Sequence, residues 1–257
     1  MRIGIIGAGN LGKAVIDGLK GRHDLVAGDV WNGEHHGVPV LVDNRNVVEG
    51  ADLVFLTVKP SLTPTILEPL KEYLKGKPVI SMAAGVPLEA LGRMGAGKAV
   101  RAMPNMAIGY EEGVTGYAVS EGCSEDDKEQ VKDVLNSLGT AFELPERQLD
   151  TLTALSGSGV AYLLSIAGTF ITSGEEEGMA RETATAVMAG TFRSAAKLLE
   201  EGDVDSWLDR IASPGGTTEQ GLKAMEEGGV DEALKKTLTA TVKKCHDLSN
   251  RLTSQKQ

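Results

Sequence analysis

The sequence predicts an α/β fold in two parts: a doubly wound, mostly parallel sheet over residues 1–149, then an all-α region over residues 150–257. Three observations carry this expectation. Short apolar runs alternate with helix-period segments up to about residue 148, no strand-like run follows, and a glycine loop joins the first apolar run to the first helical one. Several runs are apolar at every position rather than at every second one, as parallel strands covered on both faces require.

In chain order, "RIGIIG" is the first strand. "NLGKAVIDGLKG" is the first helix, with Leu11, Val15 and Leu19 at helical spacing. "DLVAGD", "VPVLVD", "ADLVFLTVKP", "KPVISMAA" and "KAVRAMPN" read as further strands, and "AFEL" as the last. Ahead of "AFEL", "SEDDKEQVKDVLNSLGT" is a helix capped by Ser124, with Asp127 at the reciprocal position and Gly139 placed to end it. Past residue 150, Ala184, Val187, Phe192 and Leu198 share one helical stripe. In the final helix Leu234, Leu238, Thr241, Cys245, Leu248 and Leu252 recur at steps of four and three, a seam suited to a close helix partner. Residues 151–174 carry no charge. Their Ser, Thr and Gly content favours a helix buried in a core or subunit interface over a membrane span.

The formal charge of −10 argues against nucleic acid or an anionic membrane as a partner for the whole surface. Cys123 and Cys245 sit in no CxxC or ligand spacing, which fits a reducing, cytoplasmic compartment and no disulfide framework. The opening "MRIGIIGAGN" is too short and too glycine-broken for a secretory signal.

"GAGNLG" gives the most specific chemistry. Gly7, Gly9 and Gly12 stand in G-x-G-x-x-G spacing between a strand and a helix, the context of a Rossmann dinucleotide site. The loop residues Ala8, Asn10 and Leu11 present N–H groups at the helix N-terminus, where a pyrophosphate is stabilised. Asp29 ends the second strand about 20 residues further on, where a carboxylate bonds the ribose hydroxyls of NAD. No arginine follows to welcome the 2′-phosphate of NADP, so NADH is favoured, although His35 and His36 stand close enough in sequence to meet a phosphate. Three later strand ends, carrying Val58, Lys59 and Pro60, then Ala83, Ala84 and Gly85, then Met103 and Asn105, shape a surface for the nicotinamide half. In "IASPGGTTEQGL" the Pro-Gly-Gly turn precedes a helix that Thr217 or Thr218 can cap, with N–H groups able to hold a carboxylate. There is no Ser/His/Asp set, no histidine cluster for a metal and no acid–base carboxylate pair, which suits hydride transfer by a cofactor.

With these motifs in order, "IGIIGAGNLGKAVIDGL", "LTVKP", "SMAAGVPLEAL", "RAMPN", "TALSGSGVAYLL", "EEGMAR" and "IASPGGTTEQGL", the chain closely resembles the pyrroline-5-carboxylate reductases over nearly its whole length. The resemblance implies reduction of the cyclic imine Δ1-pyrroline-5-carboxylate to L-proline with NAD(P)H. It also implies an all-α C-terminal dimerisation domain that makes a homodimer or a larger homo-oligomer. Thr218 would bond the ring nitrogen as the catalytic contact, while Ser213, Gly215, Gly216 and Thr217 take the substrate carboxylate. Ser158, in "LSGSG", would wall the substrate site. The chain departs from the family's pattern at Val160, where proline is usual, at Met179–Ala180, and at Asp29–Val30, where Asn-Arg is common. Hydroxyacid dehydrogenases of the same plan need a lysine on the first long helix of the second half, and "AYLLSIAGTFITSG" has none. A non-catalytic dinucleotide sensor would have no use for "SPGGTT".

Overall fold

The computed structural model describes residues 1–254, with the side chains of residues 249–254 excepted. Two compact units emerge, Met1–Ser158 with Thr241–Gln257, and Gly159–Ala240.

The first unit is built on nine strands: β1 (Arg2–Ile6), β2 (Asp24–Gly28), β3 (Gly33–His35), β4 (Val38–Leu41), β5 (Leu53–Leu56), β6 (Pro78–Ser81), β7 (Lys98–Pro104), β8 (Gly113–Val119) and β9 (Gly139–Glu143). They form one sheet in the order β3-β4-β2-β1-β5-β6-β7-β8-β9. All pairings are parallel except β3 with β4 and β7 with β8. The order reverses between β1 and β5, so a crevice opens at their C-terminal ends. Helices α1 (Asn10–Leu19), α2 (Asn44–Glu49), α3 (Thr63–Leu70), α4 (Leu88–Arg93) and α5 (Glu125–Asn136) cover the sheet.

Both faces are dry, and the apolar runs explain why. In β5, Leu53 and Phe55 join one buried cluster with Val15, Ile16 and Leu19 of α1 and Val131 and Leu135 of α5. The intervening Val54 and Leu56 join the opposite cluster with Val47, Leu67 and Leu70. Each such side chain contributes about 1.5–3 kcal/mol by leaving water, which fixes strand register on both faces.

Two strands lie outside the sequence expectation. β3 reads Gly-Glu-His and has no apolar residue. It exists because His36 (φ 47°) and Gly37 (φ 83°) close a tight turn that pairs it with β4. β8 carries Gly113 and Gly116, which blur its pattern. A Cβ on Gly116 would stand 2.6 Å from Leu152 Cδ1, so the glycine is what lets that leucine close on the sheet.

The boundary also differs from the expected 149/150. Helix α6 (Leu149–Leu152) and the π-helical turn Thr153–Gly157 stay with the sheet, because Leu149 and Ala154 are buried there. Arg101 of β7 is buried and needs counter-charge, which Asp150 supplies at 2.7 Å and Glu146 at 3.5 Å. Gly139, expected to end α5, instead opens β9 at φ 133°, and Ser137 is the C-cap.

The second unit comprises α7 (Gly159–Glu176), α8 (Arg181–Glu201), α9 (Val204–Ile211), α10 (Thr217–Glu227) and the first part of α11 (Val230–Ser254). α7 and α8 pack together about the turn at Gly178 (φ 90°). The stretch Glu146–Glu176 is long and apolar enough to cross a membrane by length and composition, with 17% of its most apolar window buried. Leu163, Leu164 and Phe170 on α7, and Val187 and Leu199 on α8, are exposed. Along the α11 seam Leu234 is exposed, Leu238 half-buried and Cys245 buried; the side chain of Leu252 lies outside the described residues.

The α5 cap ties pH to stability. Ser124 Oγ accepts from Asp127 N, and Asp127 accepts from Ser124 N at 2.8 Å and from Lys98 at 2.7 Å. Burial pushes the Asp127 carboxyl up, but the hydrogen bonds from Lys98 and Ser124 outweigh it and hold the group below its ordinary range. Its stabilisation is complete above the unfolded carboxylate value and disappears as pH falls through the lower folded one. Asp127→Asn is therefore expected to cost about 1 kcal/mol near neutrality, with the deficit shrinking below about pH 4. Melting temperatures of both proteins from pH 7 down to pH 2.5 check this.

Candidate functional site

At the sheet's crossover point the glycine loop leaves β1 with Gly7 at φ 103°, a conformation that side chains disfavour. Gly12, one turn into α1, lies so close beneath it that a Cβ there would collide with the Gly7 carbonyl. Nothing lies within 4 Å of a Cβ built on Gly9, so that position faces open space. Thr57, just past β5, donates from Oγ1 to the Gly7 carbonyl at 2.6 Å, and Gly7 N–H donates to Gly28 O at 2.7 Å. The loop is thus locked from three neighbouring chain segments.

Asp29 completes the frame. Its Oδ2 accepts from Ala8 N–H at 2.7 Å and its Oδ1 from Val30 N–H at 2.7 Å. The carboxylate braces the glycine loop from the end of β2 and stands at the rim of a cavity of about 520 Å³.

Gly7, Gly9, Asp29, Val58 and Lys59 all line that cavity, as the sequence leads one to expect. Thr57 and Asn44 line it as well, and the sequence reading missed both. Asn44 opens α2, and its Oδ1 is buried on this wall without a hydrogen-bond partner. The side chain fits there only because Gly28 has no Cβ. An orphaned acceptor, a fixed carboxylate and a cradle of glycines suit the hydroxyl, amino and phosphate groups of a dinucleotide's adenosine half.

Other expected contacts are placed elsewhere. Leu11 packs into the core, and Asn10 lines a separate cavity beside α1. Pro60 starts a 3₁₀ turn, Ala83 and Met103 are buried, Ala84 packs beside Met103, and Gly85 takes φ 76° in the loop after β6. Asn105 is a clamp: Oδ1 accepts from Ala107 N at 3.1 Å, and Nδ2 donates to Ser156 Oγ at 3.1 Å. It joins the end of β7 to "LSGSG", whose Ser158 N–H closes the π turn on Thr153 O at 2.8 Å. His35 and His36 do not reach the cofactor cavity; both turn to Asp17 of α1.

In the second unit, Gly215 (φ 72°) makes the turn and Gly216 N–H bonds Ser213 O at 2.9 Å. α10 starts at Thr217, with Gly216 as N-cap and no side-chain capping bond. Thr217 and Thr218 thus lie inside the first turn and neither is the cap, a correction to the sequence reading. The Pro-Gly-Gly turn delivers the chain directly into helical geometry, so a hydroxyl cap is not required. Glu219 Oε2 accepts from Gly215 N–H at 2.8 Å, so the loop already holds a carboxylate.

Residues 146–248 match the family model for pyrroline-5-carboxylate reductase dimerisation, and residues 2–85 match the NADP oxidoreductase, coenzyme F420-dependent model. The pyrroline-5-carboxylate reductase of Methanosarcina acetivorans is 34% identical, over 86% of this chain and 87% of its own length. The chain belongs to the pyrroline-5-carboxylate reductase family. Among solved structures, the NADP-bound Plasmodium falciparum pyrroline carboxylate reductase superposes with a TM-score of 0.91 at 26% identity, covering 97% of this chain and 98% of its own. The Streptococcus pyogenes 1-pyrroline-5-carboxylate reductase gives 0.86 at 30% identity, covering 96% and 98%. The cofactor of this family member is accordingly NAD(P)H, which the cavity fits. Gly12→Ala, by forcing α1 away from Gly7, is expected to cost about 1–3 kcal/mol and to weaken dinucleotide binding more than tenfold. Denaturant melts and a fluorescence titration with the cofactor check both.

Proposed function

We propose that this chain reduces Δ1-pyrroline-5-carboxylate to L-proline, the last step of proline biosynthesis. The supporting observation is the braced glycine cradle opening on a cavity between β1 and β5, in a family member that keeps "SPGGTT" intact. NAD(P)H, when bound, supplies a hydride for the imine carbon. A protonated imine is already electrophilic, so the protein's part is alignment and exclusion of water rather than strong acid catalysis. Thr218 holds the ring nitrogen through its hydroxyl. The Ser213–Thr217 turn takes the substrate carboxylate through the Ser213 and Thr217 hydroxyls and the Thr217 N–H, with the Gly215 and Gly216 N–H groups joining once they leave Glu219 and Ser213 O. Ser158 walls the site.

NADH is the preferred cofactor. Asp29 is pinned by two N–H groups at the cavity rim, where its charge repels a 2′-phosphate, and Lys59 is the one cationic residue lining the cavity among the described residues. The working form is a homodimer, joined through residues of the second unit. Leu163, Leu164 and Phe170 on α7 and Val187 on α8 are large apolar side chains left exposed in the single chain, available to a second copy. Cys123 and Cys245 are buried and form no disulfide, in keeping with a cytoplasmic enzyme.

Purified protein is expected to oxidise NADH on addition of pyrroline-5-carboxylate, and no turnover with either cofactor would overturn the reading in favour of a dinucleotide sensor. Thr218→Ala should lower kcat about 10–100-fold with little change in melting temperature; an unchanged rate removes Thr218 from the mechanism. Asp29→Ser with Val30→Arg should move the ratio of kcat/KM values toward NADPH by about tenfold or more. A ratio that stays put refutes the charge argument.

A further inference from the structure

The sequence shows no histidine in a ligand spacing, yet folding gathers two of the four histidines around one carboxylate. Asp17 lies in the last turn of α1, His35 ends β3, and His36 takes the first position of the turn that follows. His36 Nδ1 lies 2.5 Å from Asp17 Oδ1, and His35 Nε2 lies 3.3 Å from Asp17 Oδ2. The two rings stack with centroids 4.2 Å apart, and one ligand atom from each residue falls within 4.8 Å of the others. They border a cavity of about 620 Å³, with Lys13, Lys20 and Tyr110 also on its wall.

We propose that Asp17, His35 and His36 bind one first-row divalent transition cation, with Zn²⁺ as the representative, and that the ion clips the β3–β4 hairpin onto α1. Two neutral imidazoles and a carboxylate are a donor set such cations prefer over Mg²⁺ or Ca²⁺. Four-coordinate zinc with bonds of about 2.0–2.1 Å places its ligand atoms about 3.3 Å apart. His35 Nε2 stands at this separation from Asp17 Oδ2, His36 Nδ1 has to open by less than about 1 Å from Oδ1, and the two stacked rings have to turn so that each in-plane lone pair meets the ion. That adjustment is available because the His36 side chain is 57% exposed on a hairpin turn.

A second observation marks where the ion sits. Lys20 Nζ lies 3.2 Å from His36 Nδ1 and 3.3 Å from Asp17 Oδ1. With the ring nitrogen donating to Asp17 at 2.5 Å, the ammonium is held by the same carboxylate oxygen, beside the ring. It is a cation already drawn to that oxygen, on a side chain 46% exposed and able to swing out. Lys13 adds a second positive charge on the same wall, so both lysines compete with the metal. His36 also holds φ 47°, where asparagine or glycine would sit with less strain. The chain accepts that strain and presents an imidazole.

The clip would act on the cofactor side as well, because the strand it holds runs directly into Val42 and Asn44 of the cavity wall. The inference does not depend on the proposed reaction, and its test reads metal uptake rather than turnover. Full-length protein without a histidine tag, stripped with a chelator, is titrated with ZnCl₂ by calorimetry and with CoCl₂ by visible absorption. Expected are one equivalent per chain, a visible Co²⁺ band of four-coordinate intensity and a melting temperature raised by several degrees. His36→Asn keeps the left-handed turn and should weaken uptake at least tenfold, as should Asp17→Asn. Lys20→Met, which removes the competing cation, should tighten it severalfold. No saturable uptake, equal uptake by wild type and His36→Asn, or unchanged affinity in Lys20→Met would each overturn the site.

Discussion

The first unit depends on how closely α1 approaches the strand that precedes it. Gly12 has no Cβ, and that absence lets the helix start directly against the Gly7 carbonyl. Every later feature of the cavity uses this closeness. The N-terminus of α1 points into the crevice, Thr57 reaches the Gly7 carbonyl, and Ala8 N–H comes within 2.7 Å of Asp29. Substituting any larger residue at position 12 pushes α1 off the Gly7 carbonyl and disturbs both of these contacts together, because the loop is held from several sides. The same economy recurs at Gly28, whose missing side chain makes room for Asn44.

Asp29 shows how one residue can serve fold and selectivity at once. A carboxylate that accepts two backbone N–H groups is held in a single orientation, so it presents a fixed negative charge rather than a mobile one. A fixed charge discriminates between a ribose hydroxyl and a ribose phosphate more sharply than a mobile one, because it cannot withdraw when the wrong ligand enters. Changing it to a neutral residue loosens the glycine loop and, on the proposed cofactor preference, removes an attraction for the ribose hydroxyl. Under that proposal stability and cofactor choice are coupled at this position.

What was legible from the chain follows from which interactions are local. Runs such as "RIGII" and "LVFL" announce buried parallel strands because both of their faces are apolar, and the glycine spacing announces its own turn. β3 was illegible because a turn and a neighbouring strand create it rather than its own residues, and β8 because its glycines serve Leu152 at a distance of 36 positions in sequence. Thr57 and Asn44 carry no motif; they matter through a carbonyl 50 residues away and a glycine on another strand. The capping role expected of Thr217 or Thr218 failed for a local reason, since Gly216, one residue before the threonines, takes the N-cap position after the turn at Gly215. The domain boundary was misplaced by a buried charge. Arg101 looks like any strand residue in sequence, yet once buried it demands Asp150 and so draws the junction helix onto the sheet.

The second unit raises the opposite problem, because its residues are legible and its stability is not self-contained. Among its described residues, those fully buried are Gly159, Ala167 and Ala184, each of which removes little apolar surface from water. Large side chains such as Phe170 and Leu164 remain in solvent. Helices of this length cost conformational entropy at every residue, and small buried groups do not offset it. The missing apolar burial has to come from another surface; residues 146–248 match the family model for pyrroline-5-carboxylate reductase dimerisation, and in the proposed homodimer that surface is a second copy of the same segment. A core shared in this way makes folding of the helical half depend on protein concentration. In the proposed homodimer the apolar face of the uncharged stretch is covered by a partner helix.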